Sequence, residues 1–189
     1  MKPFKFHSIE NSQPATAALL SAVEKQIGFI PNVFAVIAES SAGLKAFIEL
    51  NEQFSQSAFN ATSREIIQTA TSVENQSNYC VAGHSAFADM QSVSDDVIDA
   101  VRNNQTIADT KLEALNQFTR LLVRNRGQVT STQLKKFLDA GYTNQHVFEV
   151  MLGISIKTLT NFANNVVETP LDDQFSTYAW LANTQRHTA

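Results

Sequence analysis

The sequence of 189 residues contains a single cysteine, Cys80. One cysteine excludes an intramolecular disulfide, a Cys-x-x-Cys redox pair and the zinc sites that need two or more thiolates. Cys80 and His84 also lack further zinc ligands, because His7, His146 and His187 have no ligand-like spacing. We therefore expect no metal and no cofactor, and any thiol chemistry must use Cys80.

Positive charge and long apolar runs are also scarce. Lys and Arg number 14 against 18 Asp and Glu, a net charge of −4, which argues against nucleic acid as a partner. The first residues show no apolar core of a secretion signal, and the early apolar stretch 27–38 is too short to span a membrane. We expect a cytoplasmic protein that contacts neither nucleic acid nor membrane, in a reducing setting that suits a free thiol.

Turn residues are few, which points to an all-α fold. Six glycines do not supply the turns of an all-β protein, and no proline occurs between Pro31 and Pro170. Apolar residues recur three and four positions apart, the spacing of amphipathic helices. We predict helices from Pro14 to about Gly28 and over 33–38, 41–57, 62–74, 78–90, 110–125, 131–140 and 143–168, with a further helix that begins at 94–96.

These helices are expected to form one domain, residues 13–180, with loose tails at 1–12 and 181–189. A shift of 81 positions superimposes similar hydrophobic outlines, for example Thr62 on Thr143 and Cys80 on Asn161. The expected architecture is thus a compact helical bundle with a weak internal duplication.

Chemistry-bearing residues concentrate around Cys80. Cys80 and His84 are four residues apart, so on a helix they share one face, and Ser77 stands where it can cap that helix. A thiol in the first helical turn beside an imidazole is in a position that lowers a thiol pKa. If the chain reverses at 75–78, Glu65 reaches His84, orients it, and His84 accepts the thiol proton.

Purely structural interpretations of the same residues remain open. Free cysteine is among the most buried residue types, so Cys80 is also explained as a packing residue. Thr62-Ser-Arg-Glu65 has the form of a capping box, which accounts for Glu65 without catalysis. Tyr79 is expected only to pack.

The segment Thr62-Ser-Arg-Glu65 … Glu74-Asn-Gln-Ser77-Asn-Tyr79-Cys80-Val-Ala-Gly-His84 resembles the signature of the alkylhydroperoxidase D-like, carboxymuconolactone decarboxylase family. That signature is Glu, eleven residues, then Cys-x-x-Cys-x-x-x-His. The stretches 27–33, 138–153 and 159–172 are also similar to the peroxidase-related branch of the family. The resemblance implies an all-helical homo-oligomer, a trimer or a hexamer built from dimers, and hydroperoxide reduction in redox-active members.

One departure from the signature decides what chemistry the resemblance allows. Glu65, Cys80 and His84 match the relay positions, but Ser77 replaces the first cysteine, so a two-thiol cycle cannot run within one chain. The resemblance then implies a one-cysteine peroxidase in which Ser77 donates to the thiolate and an external thiol regenerates the enzyme. Two alternatives stay open: a non-redox decarboxylase or lactone enzyme with a histidine as acid–base catalyst, and a catalytically silent helical oligomer.

Overall fold

A computed structural model of the chain describes residues 4–182, and this range contains α-helices and no β-strand. The all-α class predicted from the sequence is therefore confirmed. The helices are α1 (Pro14–Ile27), α2 (Asn32–Ile37), α3 (Ser41–Ser55), α4 (Ala61–Glu74), α5 (Asn78–Met90), α6 (Asp95–Arg102), α7 (Thr110–Arg124), α8 (Ser131–Asp139), α9 (Asn144–Val167) and a 3₁₀ helix (Asp173–Tyr178). The 3₁₀ helix was not predicted.

Helix ends follow local chemistry in most places. Pro14 occupies the first turn of α1, where its missing N–H costs no hydrogen bond, and Gly28 ends the helix with φ of 94°. The predicted capping box at Thr62–Glu65 is wrong. The side chain of Asn60 caps α4 by accepting from the Ser63 N–H, so Glu65 lies inside the helix and is free for another role.

Helix α4 forms the centre of the bundle, since ten of its fourteen residues are buried and it packs against α5, α6, α7 and α9. Its apolar face supplies Ile66, Ile67 and Ala70 to the main core. The buried hydroxyls of Thr71 and Ser72 donate to the carbonyls four residues earlier, which satisfies them within the helix. A largely polar sequence can thus occupy the core.

Helix α9 approaches α4 closely at Gly153. A Cβ at this position would lie 2.7 Å from Ile67 and 2.8 Å from Phe54, so only glycine fits without movement. This approach places the second half of α9 alongside α4 and α5.

Under the shift of 81 positions, the turn at 75–77 corresponds to 156–158, which lie inside α9. The internal duplication is therefore limited to the hydrophobic outline.

The segments at both ends of the described range contact the bundle. In the segment 4–12, predicted as a loose tail, the His7 N–H donates to the Ala35 carbonyl and Ile9 packs on the core. Trp180 and Ala182 pack against Val73 and Val81. The rest of the two predicted tails, 1–3 and 183–189, lies outside the described residues. No helix within 4–182 has the length and apolar character to cross a bilayer.

Candidate active site

The turn between α4 and α5 brings Glu65 to His84, as the sequence predicts. Oε2 of Glu65 lies 2.8 Å from Nδ1 of His84, and both side chains are buried. Gln91, at the end of α5, donates from Nε2 to the other carboxylate oxygen at 2.9 Å. Glu65 is thus held by two donors inside the protein, and its carboxylate fixes the orientation of the imidazole.

The second ring nitrogen of His84 contacts a residue that sequence reasoning missed. Nζ of Lys157, on α9, lies 2.7 Å from Nε2 of His84, and Lys157 is only 4% exposed. When Lys157 is an ammonium it can only donate, so Nε2 accepts and the ring proton resides on Nδ1, facing Glu65. Both nitrogens of His84 are therefore engaged away from Cys80. The Nε2 atom that the predicted relay would use to accept the thiol proton thus contacts Lys157.

Cys80 lies on α5 one turn before His84 and is 3% exposed. The Asn164 amide donates to its sulfur at 3.2 Å, and the Thr160 hydroxyl oxygen lies 3.9 Å from the sulfur. Both of these residues belong to α9. The thiol is therefore enclosed between α5 and the part of α9 that also carries Lys157.

Ser77 is fully buried at the start of α5, but it does not cap the helix through its side chain as predicted. Its hydroxyl has no hydrogen-bond partner of regular geometry among the described residues. It nevertheless lies near enough to the sulfur to favour the thiolate of Cys80. The structure thus brings together all four predicted site residues, Glu65, Ser77, Cys80 and His84, although their contacts differ from those expected.

The charges of the site favour a thiolate. Burial by itself would raise the pKa of Cys80, but the positive charge of Lys157, the Asn164 amide that donates to the sulfur, and the nearby polar groups of Ser77 and Asn161 outweigh burial and lower the pKa below its usual value. Burial and the same ammonium lower the pKa of His84, which keeps the ring neutral. These directions favour a thiolate at Cys80 beside Lys157, with a neutral imidazole behind the lysine.

The buried position of Lys157 disfavours its positive charge. Burial lowers its pKa, whereas the negative charges of Cys80 and Glu65 act in the opposite direction. Within residues 4–182 no carboxylate forms an ion pair with it. The negative charges of Cys80 and Glu65 thus favour the protonated form of Lys157, and loss of the thiolate charge makes a neutral amine more favourable.

A cavity of about 680 Å³ opens onto this cluster. Its wall includes Cys80, His84, Lys157 and Gln68, and the buried Oε1 of Gln68 has no hydrogen-bond partner within the described part of the chain. The remaining wall is mostly apolar and aromatic, with Val33, Phe34, Phe47, Ile48, Phe54, Phe87 and Met90. A small apolar molecule with one polar end fits this distribution.

Tyr79, expected only to pack, joins three segments beside the cavity. Its hydroxyl accepts from the Val33 N–H at 3.2 Å and donates to the carboxylate of Asp172, which also accepts from the Asn32 N–H at 3.0 Å. Burial and the adjacent carboxylate raise the pKa of Tyr79, so the phenol stays protonated. This network holds the start of α2 and the chain after Pro170 against α5.

One sequence signal for Lys157 existed. It is a cation in a mostly apolar stretch of the longest helix, and no acidic residue stands three or four positions away to pair with it. A lysine in that context is buried against a distant partner or is functional.

Within residues 4–182, no three His, Cys, Asp or Glu side chains converge as metal ligands.

Comparisons with known proteins agree on the fold. Residues 42–120 match the model of the carboxymuconolactone decarboxylase family. An alkylhydroperoxidase AhpD core, a peroxidase-related protein from Ralstonia eutropha JMP134, is similar in structure with a TM-score of 0.81, 20% identity, and coverage of 93% of this chain and 96% of that one. A peroxidase-related protein from Silicibacter sp. TM1040 is similar with a TM-score of 0.78 and 16% identity, over 93% of this chain and 96% of that one.

The fold also occurs in a protein with a different activity. The debrominase Bmp8, with 2,3,4-tribromopyrrole bound, is similar with a TM-score of 0.75 and 16% identity over 87% of this chain and 89% of that one. No curated protein matches this chain significantly by sequence. The chain has the alkylhydroperoxidase D-like fold, and its residues 42–120 resemble the carboxymuconolactone decarboxylase family.

Proposed function

We propose that this protein is a one-cysteine hydroperoxide reductase. The observation that carries the proposal is the buried pair of Cys80 and Lys157 on the wall of an apolar cavity, with His84 and Glu65 behind the lysine. A thiolate is the form of cysteine that attacks a peroxide, and the site favours it. The peroxidase-related neighbours support the same class of reaction.

In the first half-reaction the Cys80 thiolate attacks the outer oxygen of a hydroperoxide. An S–O bond forms, the O–O bond breaks, and the sulfur is oxidised to a sulfenic acid while the peroxide is reduced to an alcohol. The leaving alkoxide needs a proton, and Lys157 is an ammonium with a lowered pKa close to the sulfur. His84 holds Lys157 in place, and Glu65 holds His84.

The second half-reaction needs reductant from outside the chain, because Ser77 occupies the place of a second thiol. One external thiol displaces the sulfenic hydroxyl as water and forms a mixed disulfide with Cys80. A second external thiol then releases Cys80 as a thiolate and leaves as the external disulfide. Both steps proceed through the cavity, since Cys80 is otherwise enclosed by α5 and α9.

The two alternatives from the sequence have less support. A lactone or decarboxylase enzyme needs a histidine with a nitrogen available to substrate, and both nitrogens of His84 are engaged. A silent bundle gains nothing from burying Glu65, His84 and Lys157 together, because burial of ionisable groups is costly and apolar residues of similar volume are often at least as stable. Such clusters next to a cavity mark functional sites.

A second candidate substrate class is a halogenated aromatic ring. Four phenylalanines line the cavity, Phe34, Phe47, Phe54 and Phe87, and the debrominase Bmp8 shares the fold. In that reaction the thiolate would attack the halogen, the ring carbon would take a proton, and the sulfenyl halide would be reduced by external thiols. The same cluster of Cys80 and Lys157 serves both reactions.

The proposal includes a homo-oligomer in a reducing compartment. On α9, the side chains of Phe148, Phe162 and Val166 are exposed although they are apolar. Exposed apolar side chains grouped on one helix are typical of a contact surface between protein chains. Light scattering of the purified protein measures the assembly directly, and a strictly monomeric protein at all concentrations would contradict this part.

The direct test treats the reduced protein with one equivalent of an organic hydroperoxide and maps the oxidised site by peptide mass spectrometry. We expect consumption of one equivalent, oxidation confined to the Cys80 peptide, and turnover only when an external thiol is added. The Cys80→Ser variant is the matched control and should consume no peroxide. Unchanged peroxide with the native protein would overturn the proposal, and turnover of 2,3,4-tribromopyrrole instead would establish the second substrate class.

A further inference from the structure

We propose that Lys157 is a covalent partner of Cys80 in the oxidised enzyme, where its amine condenses with the Cys80 sulfenic acid to form a sulfenamide. This inference rests on the proposed function, because the hydroperoxide supplies the oxidising equivalents. The sulfenamide would be the resting form of the oxidised site and would take the place of the disulfide that Ser77 precludes.

The positions of the two side chains support this reaction. Lys157 lies one turn before Thr160 on α9, and the Thr160 hydroxyl oxygen is 3.9 Å from the Cys80 sulfur. On the α5 side, Lys157 Nζ is 2.7 Å from His84, which lies one turn after Cys80. Lys157 thus extends from the part of α9 that contacts the sulfur to His84 on α5, and its side chain and Cys80 share the same wall of the cavity.

Oxidation changes the charge of the site in the direction that activates the amine. The thiolate is the negative partner nearest to Lys157, and a sulfenic acid is neutral. Giving its proton to the leaving alkoxide converts Lys157 to the neutral amine, which burial favours. The first half-reaction therefore produces an electrophilic sulfur and a nucleophilic nitrogen side by side.

The condensation is balanced without any further oxidant. The Lys157 nitrogen attacks the sulfur, an S–N bond forms, and the S–O bond breaks. The hydroxyl leaves with one amine hydrogen as water, and the oxidation state of sulfur does not change. An external thiol later attacks the sulfur, forms the mixed disulfide and returns the amine to Lys157, so the sulfenamide lies on the catalytic cycle.

Other groups around the sulfur are poorer partners. The Ser77 hydroxyl and the Asn164 amide are weak nucleophiles, and His84 has both nitrogens engaged. Lys157, by contrast, is left as a neutral amine by the first half-reaction and can attack the sulfur. A sulfenamide also shields the sulfur from further oxidation to sulfinic acid, which is irreversible for most proteins.

The test is peptide mapping of native protein after one equivalent of hydroperoxide, without reductant and with a protease that does not cleave at lysine. We expect a cross-linked pair of peptides joining Cys80 to Lys157, lighter than the sum of the two reduced peptides by about 2 Da. Added thiol should restore both peptides. Sulfenic acid on Cys80 with no cross-link would overturn the sulfenamide and leave the proposed function intact, whereas no oxidation of Cys80 would overturn both.

A pair of variants gives an independent readout. Lys157→Arg keeps the positive charge beside the thiolate, but a guanidinium that stays protonated cannot condense with the sulfenic acid. We expect this variant to consume its first equivalent of peroxide more slowly, because the guanidinium is a poor proton donor to the alkoxide, and then to accumulate sulfinic acid at excess peroxide. Lys45→Arg, at an exposed site on α3, should behave as the native protein. Equal sulfinic acid in all three proteins would contradict the protective role.

Discussion

The ammonium of Lys157 and Nε2 of His84 lie 2.7 Å apart, and this contact sets the protonation of the whole site. Because the lysine can only donate, the imidazole is neutral and its Nδ1–H points to Glu65. The positive charge is thereby kept on Lys157, next to the sulfur, rather than on the imidazole. In the proposed mechanism, Lys157 favours the thiolate of Cys80, and His84 and Glu65 position Lys157.

Replacement of Lys157 should therefore raise the pKa of Cys80. In the native protein the pKa of Cys80 is lowered, so the thiolate persists as pH falls below the usual thiol range. Lys157→Met removes the ammonium, and each unit by which the pKa rises reduces the thiolate fraction about tenfold at pH values below both pKa values. The measurement is the rate of Cys80 alkylation by a small reagent as a function of pH.

Lys45→Met is the matched control for this experiment, since Lys45 lies exposed on α3 and pairs only with Glu49 within the described residues. Its pH profile should equal that of the native protein. A Lys157→Met profile that keeps the native midpoint would show that Lys157 does not stabilise the thiolate.

Glu65→Gln should reduce peroxide turnover on the order of 10²-fold, within the range of a disrupted acid–base system. The carboxylate accepts hydrogen bonds from both His84 and Gln91, and an amide offers only one oxygen. If the amide nitrogen faces His84, the ring proton must move to Nε2, where it meets the ammonium of Lys157. Glu49→Gln, an exposed change, is the control. The readout is kcat/KM for an organic hydroperoxide.

Gln68→Leu should separate stability from function. The side chain is buried, its Oε1 has no partner among residues 4–182, and it lines the cavity. Removal of an unpaired buried polar group should raise the free energy of unfolding by about 1 kcal/mol, measured in urea. If Gln68 binds the polar end of the substrate, KM should rise while kcat changes little. Gln53→Leu, at an exposed position of α3, should move neither KM nor kcat.

Local sequence patterns predict well what depends on neighbouring residues. The spacing of Cys80 and His84 predicts their shared face because the period of a helix is fixed, and the break at 75–78 predicts the reversal that carries Glu65 back to His84. The cap of α4 is a different case. Asn60 and Thr62 are both acceptable N-cap residues by type. Only a cap at Asn60 leaves the Glu65 side chain free to point into the protein and contact His84.

The part of the site contributed by α9 could not be derived from local patterns. Lys157 is 73 positions from His84 along the chain, and their contact depends on the packing of α9 against α5 and, closely at Gly153, against α4. The same packing brings Asn164 to the sulfur. Sequence periodicity places these residues on a helix, but it does not state which other helix that face meets.

Gly153→Ala tests the packing that places α9. The new Cβ would meet Ile67 at 2.7 Å and Phe54 at 2.8 Å, and overpacking of this kind outweighs the gain in helix propensity. We expect the free energy of unfolding to fall by about 1 to 2 kcal/mol. Gly83→Ala is the contrast, because its Cβ would meet Phe175 at an ordinary 3.5 Å, and the helix should become more stable.

Ser77→Cys would supply a second thiol beside Cys80. It tests whether position 77 is the place of the resolving cysteine that this sequence lacks. The two positions are three residues apart at the start of α5, the arrangement of redox-active Cys-x-x-Cys pairs. The introduced thiol should attack the Cys80 sulfenic acid faster than the Lys157 amine does, since a thiolate is the stronger nucleophile toward sulfur. After one equivalent of hydroperoxide, peptide mapping should find a disulfide between the two positions and no peptide joined to Lys157. Persistence of the lysine cross-link, or of free sulfenic acid, would contradict the assignment of Ser77 to the resolving position.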